Sequence, residues 1–332
     1  MAWLILAGVT PIVAQTNWAV QKTLPVGGAG GWDYVTVDAA KHRLYVTRTT
    51  HTMVLDSQSG AVIADISGQK ISHGVAIVPE AGRGFITDGG SGTIVIFDLN
   101  TNTVLGTLAA QPDADGIIYD KGSHLVLAVS GDGGVLMTFK PDIDPVHGKI
   151  DAPIPLGGSP EYLAADGAGK VYINLEDKDE VAVVDLQARK VMARWPVAPG
   201  GQPVGLALAP SGPELYIGCR KPQKMIVMST DDGRVLASLP IGAGVDATKV
   251  DGEQAFASCR DGSLVIVNRT GANLYEVAQV VKTPQGARTM AVDTETHTIY
   301  LPTAELLPPE KPGARAQAKP GTFMIVIVER KP

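Results

Sequence analysis

The chain has 332 residues and a formal net charge of −6. Hydrophobic residues make up 45% of the chain, and aromatic residues make up only 5% of it. Its Lys and Arg residues are scattered, so it lacks the basic surface that neutralises nucleic-acid phosphates, and we expect no nucleic-acid partner. The 38 glycines and 23 prolines favour many short strands joined by turns over a helical protein.

The first 16 residues contain no charged side chain, and they are largely apolar from Trp3 to Val13. This stretch is too short to span a bilayer and is typical of the apolar core of a secretory signal peptide, although no Lys or Arg precedes it. We therefore expect a signal peptide at residues 1–16 and a single domain at residues 17–332. The mature protein would be periplasmic or secreted, without a membrane span.

A strand with an apolar or aromatic centre recurs seven times, about every 40 to 45 residues. The seven centres are Tyr45, Phe85, Leu127, Tyr172, Tyr216, Phe256 and Tyr300. An apolar strand that usually ends on an acidic residue precedes each centre, as in Val35–Asp38. Two further β-rich runs follow it, as in Met53–Asp56 and Gly60–Ile63. Four strands in a unit of this length are the pattern of a β-propeller blade.

The segments Arg43–Thr47 (RLYVT) and Glu214–Gly218 (ELYIG) resemble the motif of the YVTN-type repeat. From about Ala19 onward the chain is similar to the YncE-like β-propellers, a family of mostly exported bacterial proteins. The resemblance implies an all-β fold, a seven-bladed β-propeller of four-stranded blades. It implies little about activity, because propellers support unrelated functions.

The count of strands predicts how the ring closes. Units one to six each have a fourth, outer strand, whereas unit seven ends with its third strand at Met324–Val328. A strand of the missing type lies ahead of the first unit, at Ala19–Val26. We expect these two segments to pair, because pairing removes an unpaired sheet edge.

The first position of the innermost strand is ionisable in six of the seven units. In chain order this position, five residues before the acidic turn, holds Asp33, His73, Asp115, Glu161, Val204, Asp246 and Arg288. Charged residues make up only 19% of the whole chain, so this position is strongly enriched in ionisable residues. The enrichment indicates that these residues share a role. Because innermost strands begin near the central channel of a propeller, we expect these side chains to converge at one channel mouth.

Two kinds of ligand suit such a ring. Carboxylates with one imidazole can coordinate a divalent cation, and the candidate metal ligands are His73, Asp115, Glu161 and Asp246. Arg288 can hold a carboxylate or phosphate through two hydrogen bonds. The alternative is that the ring residues merely pair with one another and satisfy strand ends.

Further polar residues should surround the same mouth. Candidate rim contacts follow the second strands: Arg48, His51, Asp88, Asn174, Glu176, Arg220 and Arg260. Unit seven also carries a proline-rich insertion at residues 305–321, either a functional strap or a tolerated surface loop. Three histidines at equivalent turn positions belong to the opposite face: His42, His124 and His297.

Cys219 and Cys259 occupy matching positions in units five and six. They are a disulfide candidate, because an exported protein permits a disulfide, and the alternative is two buried free thiols.

We expect a monomeric, non-catalytic binding or scaffold protein that holds a small molecule or a protein partner at the channel mouth and rim loops. The alternative is a metal-dependent, lactonase-like hydrolase that uses the ring to bind a divalent cation. A noncovalent redox cofactor is a weaker third reading, because axial ligands are scarce.

Overall fold

The computed structural model describes residues 17–309, 311 and 316–331, and the expected signal peptide at residues 1–16 lies outside them. The described residues form 27 β-strands and two short 3-10 helices, Pro79–Ala81 and Glu176–Lys178. None of their helices has the length and apolar character needed to cross a membrane. The protein is therefore all-β, as its composition predicts.

The described strands are arranged in six antiparallel sheets, of which five have four strands and one has seven. The first strand is β1 (Trp18–Pro25). The seven-stranded sheet contains β2 (Val35–Asp38), β3 (Arg43–Thr47), β4 (Thr49–Asp56), β5 (Val62–Val78), β6 (Arg83–Asp88), β7 (Thr93–Asp98) and β8 (Val104–Ala109). The next sheet contains β9 (Ala114–Asp120), β10 (Leu125–Ser130), β11 (Val135–Phe139) and β12 (Ile154–Pro155).

The later sheets follow the same order along the chain. One contains β13 (Pro160–Ala165), β14 (Lys170–Leu175), β15 (Glu180–Asp185) and β16 (Lys190–Pro196). The next contains β17 (Pro203–Leu208), β18 (Glu214–Arg220), β19 (Gln223–Ser229) and β20 (Val235–Pro240). Another contains β21 (Val245–Asp251), β22 (Gln254–Cys259), β23 (Ser263–Gly271) and β24 (Leu274–Lys282). The last contains β25 (Ala291–Asp293), β26 (Thr298–Thr303) and β27 (Met324–Arg330), together with β1.

The seven-stranded sheet arises because β5 belongs to two repeats. Its first part pairs with β4, and its last part pairs with β6. Gly68, in the middle of this strand, has a φ of 100°, which a residue with a side chain rarely adopts. The sequence predicts two separate strands here, and the structure differs in joining them into one continuous strand.

The chain brings its first and last described strands together. β1 pairs antiparallel with β27, with Trp18 opposite Arg330 and Pro25 opposite Met324. Trp18 is 1% exposed, and its ring lies 5.1 Å from that of Phe256 in an edge-on arrangement. β1 thus contributes a buried anchor as well as backbone hydrogen bonds.

The apolar core lies between neighbouring sheets. The centres of the recurrent triplets are buried, as shown by Tyr45, Phe85 and Phe256, each 0% exposed. The innermost strands contact one another in chain order from β2 through β5, β9, β13, β17 and β21 to β25, and β25 contacts β2. The fold therefore places the starts of these strands close together, where the predicted ring residues lie.

Candidate functional site

Each predicted ring residue lies at the start of an innermost strand. Asp33 precedes β2, and Arg288 precedes β25. The other four ionisable positions are within strands: His73 in β5, Asp115 in β9, Glu161 in β13 and Asp246 in β21. The seventh position, Val204, is apolar and 1% exposed.

A repeated hydrogen bond fixes the backbone of the ring. A polar side chain two residues after the central residue of a triplet donates to the main-chain carbonyl of the ring residue in the next repeat. The pairs are Thr47 to His73 (2.7 Å), Thr87 to Asp115 (2.6 Å), Asn174 to Val204 (3.0 Å) and Ser258 to Arg288 (2.5 Å). Thr289 donates similarly to Asp33 at 2.7 Å, so the first and last repeats are also joined. Neighbouring repeats therefore hold the ring positions in register.

One half of the ring is acidic around a single imidazole. The Nδ1 atom of His73 lies 2.7 Å from Oδ2 of Asp33 and 3.7 Å from Oδ1 of Asp115. Its Nε2 atom lies 3.9 Å from Oδ1 of Asp113. Oδ1 of Asp115 is buried without a hydrogen-bond partner among the described residues. This half of the ring consequently has acceptor capacity that the described residues leave unused.

The other half of the ring is rich in guanidinium groups. Asp246, whose side chain is 7% exposed, accepts hydrogen bonds from Arg288 and Arg220 and lies 3.8 Å from Nη2 of Arg260. Arg288 also contacts Asp33, with Nη1 at 3.3 Å from Oδ1. The network therefore runs without interruption from His73 through Asp33, Arg288 and Asp246 to Arg220.

Arg288 differs from the expected bidentate anion clamp. Its Nη1 atom is used by Asp33 and Asp246, and its Nη2 atom donates to the carbonyl of Trp32 at 2.9 Å. These contacts occupy both terminal nitrogens within the protein. Arg288 thus acts mainly as an internal counter-ion, as the ion-pair alternative anticipated.

Glu161 forms a pair of carboxyl groups with Glu176. Burial and a hydrogen bond with Glu176 raise the pKa of Glu161 to about 10, so Glu161 is protonated near neutral pH. Arg220 lies 3.2 Å from Oε1 of Glu176 and 3.9 Å from Oε1 of Glu161. A shared proton and one guanidinium together allow the two carboxyl groups to lie side by side.

Burial and neighbouring charges also shift the pKa values of His73, Asp115 and Asp246. Burial alone would lower the pKa of His73, but the hydrogen bond to Asp33 and the charge of Asp115 outweigh it and raise the pKa to about 9. Burial raises the pKa of Asp115 to about 7 against the opposing effect of His73. Burial would likewise raise the pKa of Asp246, but Arg288 and other guanidinium groups hold it below its usual value. At neutral pH the network thus contains charges of both signs.

The four candidate metal ligands do not form one cluster. Among the described residues, one group has ligand atoms that all lie within 4.8 Å of one another, namely Asp33, His73 and Asp115. Glu161 instead pairs with Glu176, and Asp246 lies against arginines. His73 and Asp115 therefore remain candidates, whereas Glu161 and Asp246 are engaged elsewhere.

The described part of the insertion extends over this mouth. A β-bridge joins Leu306 to Ala318, and the backbone amide of Lys319 donates to the carbonyl of Glu305 at 2.8 Å. The ammonium of Lys319 also lies 2.7 Å from Oε2 of Glu305. The base of the insertion is therefore a two-stranded ribbon, formed by the segments around Leu306 and Ala318.

A cavity of 690 Å³ lies between this ribbon and the ring. Its wall includes Leu306 and Ala318 from the ribbon, the guanidinium residues Arg260 and Arg288, and Trp32. The indole Nε1 of Trp32 is buried without a hydrogen-bond partner among the described residues. We call this space the mouth cavity. It is lined by cationic and apolar groups together.

Three of the expected rim residues are structural. Arg48 is 1% exposed and donates to the carbonyls of Gly31 (2.8 Å) and Ala29 (2.9 Å). Asp88 accepts hydrogen bonds from the backbone N–H groups of Lys70 and Ile71 in β5, and Asn174 bridges to the following repeat. The rim hypothesis is therefore wrong for these buried residues, because their side chains point back to backbone groups.

The remaining rim candidates behave differently from one another. Glu176, Arg220 and Arg260 extend the charged network, whereas His51 lies 3.9 Å from the largely exposed Asp65, away from the ring. Asp113, which lies 3.9 Å from His73, belongs to the network although it was not predicted from the sequence. Its position two residues before Asp115 is the only signal that could have identified it.

The turn histidines agree with their predicted role. His42, His124 and His297 have φ values of 51°, 55° and 55°, the left-handed conformation found in tight turns. His297 also lies 2.6 Å from Asp251. None of the three contacts the ring.

Cys219 and Cys259 are both buried free thiols, which is the alternative to the disulfide candidate. Cys219 packs in a cluster with Val197 and Ile226, whereas Cys259 packs in a separate cluster with Met225. Matching positions in neighbouring sheets thus place the two sulfurs in different layers of the core. Burial raises the pKa of both thiols to about 12.

Comparison with known proteins supports the fold. No protein-family model matches the chain, and no curated protein matches it. Among solved structures, the fold is similar to that of hydrazine synthase from Kuenenia stuttgartiensis, with a TM-score of 0.71. The match has 12% identity and covers 85% of this chain and 94% of that chain. The protein therefore has a β-propeller-type fold.

Proposed function

We propose that this chain is an exported, YncE-like, seven-bladed β-propeller that acts as a non-catalytic binding protein. The seven repeated units, the shared strand β5 and the pairing of β1 with β27 support a ring of seven four-stranded blades. The apolar, uncharged N-terminal sequence supports export. The ligand would be held at the channel mouth.

The mouth cavity is the observation that carries this proposal. A space of 690 Å³ between an ordered ribbon and a rigid ring is the kind of concave, partly apolar site in which small molecules bind. Arg260 supplies a guanidinium on its wall beside the internally paired Arg288, and Trp32 and Leu306 supply apolar surface. We therefore propose a ligand that carries a carboxylate or phosphate group.

The charged network beneath this cavity serves to make the site rigid. Asp246 holds the guanidinium groups of Arg288 and Arg220, and His73 holds Asp33. Such mutual pairing fixes side chains before the ligand arrives, which reduces the conformational entropy lost on binding. The network is thus a support for the binding surface.

Titration of the purified protein with citrate, followed by calorimetry, tests the proposal. We expect one citrate per chain and a loss of affinity of about tenfold in Arg260→Gln, because a hydrogen bond to a charged group is removed. The control is Arg234→Gln, whose side chain is 68% exposed and lies beside Asp232. The absence of citrate binding, or equal binding by Arg260→Gln, would contradict the proposal.

A metal-dependent hydrolase is the second candidate, and one observation favours it. Asp33, His73 and Asp115 could offer three ligand atoms to one divalent cation, and Asp115 has an unpartnered oxygen. A bound cation there could polarise an ester or lactone carbonyl.

Elemental analysis and a γ-lactone hydrolysis assay distinguish the two candidates. The binding proposal predicts no hydrolysis when Ca²⁺, Mn²⁺ or Zn²⁺ is added. Stoichiometric metal together with turnover that disappears in Asp115→Asn would instead establish the hydrolase. Asp132→Asn, which alters an exposed carboxylate, is the control.

A further inference from the structure

A second cavity lies within the central channel, away from the mouth cavity. It has a volume of 310 Å³ and is lined by residues of all seven innermost strands. It begins at Tyr34 and Tyr162, each of which directly follows a ring residue, and their rings are 5.4 Å apart. It reaches Val37 and Val292, which lie beside the acidic turns at the other ends of their strands.

The wall of this channel cavity is mostly apolar. Val37, Ile77, Ile118 and Val292 line it, and all four are only half-buried. Half-buried aliphatic side chains on the inside of a protein leave apolar surface in contact with water, which is unfavourable. Covering that surface with an apolar ligand would release the water.

One cation interrupts this apolar wall. The Nζ atom of Lys249 donates a hydrogen bond of 2.6 Å to the hydroxyl of Tyr162. Among the described residues no carboxylate lies within 4.0 Å of this ammonium. The Nζ atom also lies 4.6 Å from the centroid of the Tyr162 ring, so Lys249 has an aromatic partner but no carboxylate partner among these residues.

We propose that the channel cavity is a second ligand site, for an amphiphilic carboxylate of the fatty-acid type. The carboxylate group pairs with the ammonium of Lys249, and the alkyl chain covers the apolar wall. A single cation suits a monoanion. The site differs in its chemistry from the mouth cavity, where the guanidinium of Arg260 suits a more polar anion.

Calorimetric titration with octanoate and with 1-octanol tests this inference. Octanoate should bind with a stoichiometry of one and about tenfold more tightly than 1-octanol, because only the carboxylate pairs with the ammonium. Lys249→Met, which keeps the length of the side chain, should abolish this preference. Lys282→Met, at an exposed position of β24, should bind like the wild type.

Three further measurements test the position of the site, the folding of the variants and the independence of the two cavities. Val292→Phe should weaken the binding of both probes, because a larger side chain at this position fills the cavity. Circular dichroism of each variant should match that of the wild type. Excess citrate should leave octanoate binding unchanged. Failure of octanoate to bind, displacement by citrate, or full binding by a folded Lys249→Met protein would each overturn the inference, whatever the outcome at the mouth.

Discussion

The Oδ2 atom of Asp33 lies 2.7 Å from the Nδ1 atom of His73, although the two residues belong to consecutive repeats. Asp33 lies just before β2 and His73 lies within β5, so the contact joins the first two repeats at the channel mouth. Asp33 also contacts Arg288 of the last repeat. One carboxylate therefore links the first repeat to both the second and the last.

This pair predicts a specific dependence of stability on pH. The pKa of His73 is raised to about 9, so its protonation stabilises the fold fully below the unfolded pKa of about 6.5, and this contribution is lost as the pH rises through 9. We expect Asp33→Asn to lower the free energy of unfolding by about 1–3 kcal/mol at pH 6. The loss should be smaller at pH 9.5, as measured by urea denaturation. Asp65→Asn, whose partner is His51 at 3.9 Å, is the control and should show little change.

Substitution of Glu161, in contrast to that of Asp33, should stabilise the fold. Its pKa is raised to about 10, so its protonated form is favoured in the folded state, and ionisation destabilises the fold increasingly between an unfolded pKa of about 4.3 and pH 10. Glu161→Gln should therefore stabilise the protein by about 1 kcal/mol or more at pH 8, with little gain at pH 4. Thermal unfolding at both pH values measures this, with the exposed Glu276→Gln as control. An equal gain at both pH values would show that ionisation of Glu161 is not the cause.

Trp18 predicts how much β1 contributes to stability. Its indole is 1% exposed, packs on Phe256 and donates to Gln254 at 3.0 Å. Trp18→Ala should lower the free energy of unfolding by about 3–5 kcal/mol, because it leaves a cavity in the core. Val20→Ala alters a residue of the same strand that is 36% exposed and should cost about 0.5 kcal/mol or less. Guanidinium denaturation compares the two, and similar losses would contradict a structural role for β1.

Arg48 holds the glycine-rich segment at residues 27–31 in place, and we expect its loss to make this segment more mobile. Its guanidinium donates to the carbonyls of this segment and lies 3.7 Å above the ring of Phe323. Arg48→Met should increase the rate of amide hydrogen exchange in the segment and weaken citrate binding, because the segment borders the mouth cavity. Arg234→Met serves as the matched control. Unchanged exchange in residues 27–31 would show that the segment is held by other contacts.

The repeat could be predicted because the same sequence pattern recurs in each unit. Alternation of apolar residues, the acidic turn and the aromatic centre depend on local strand geometry, which is the same in every unit. Alignment of the units then identified six ring residues, and the structure places all six in one charged network.

The contacts that individual side chains make could not be predicted in the same way. Arg48 and Asn174 follow second strands as Arg220 does, yet the first two are buried against backbone carbonyls and the third joins the network. The difference depends on what the neighbouring repeat presents at that point, and a single sequence does not show this. The pairing of Glu161 with Glu176 is hidden for the same reason.

The pairing of β1 with β27 also has a consequence for how the chain folds. Trp18 is synthesised long before its partner Arg330, so the sheet that contains both cannot form until the segment around Arg330 has left the ribosome. Contacts between such distant residues slow folding, because a very long segment must be ordered first. Until then β1 has an open edge and an uncovered indole, the features that chaperones and aggregating neighbours recognise. The strand that completes the structure is thus also its most vulnerable part during biogenesis.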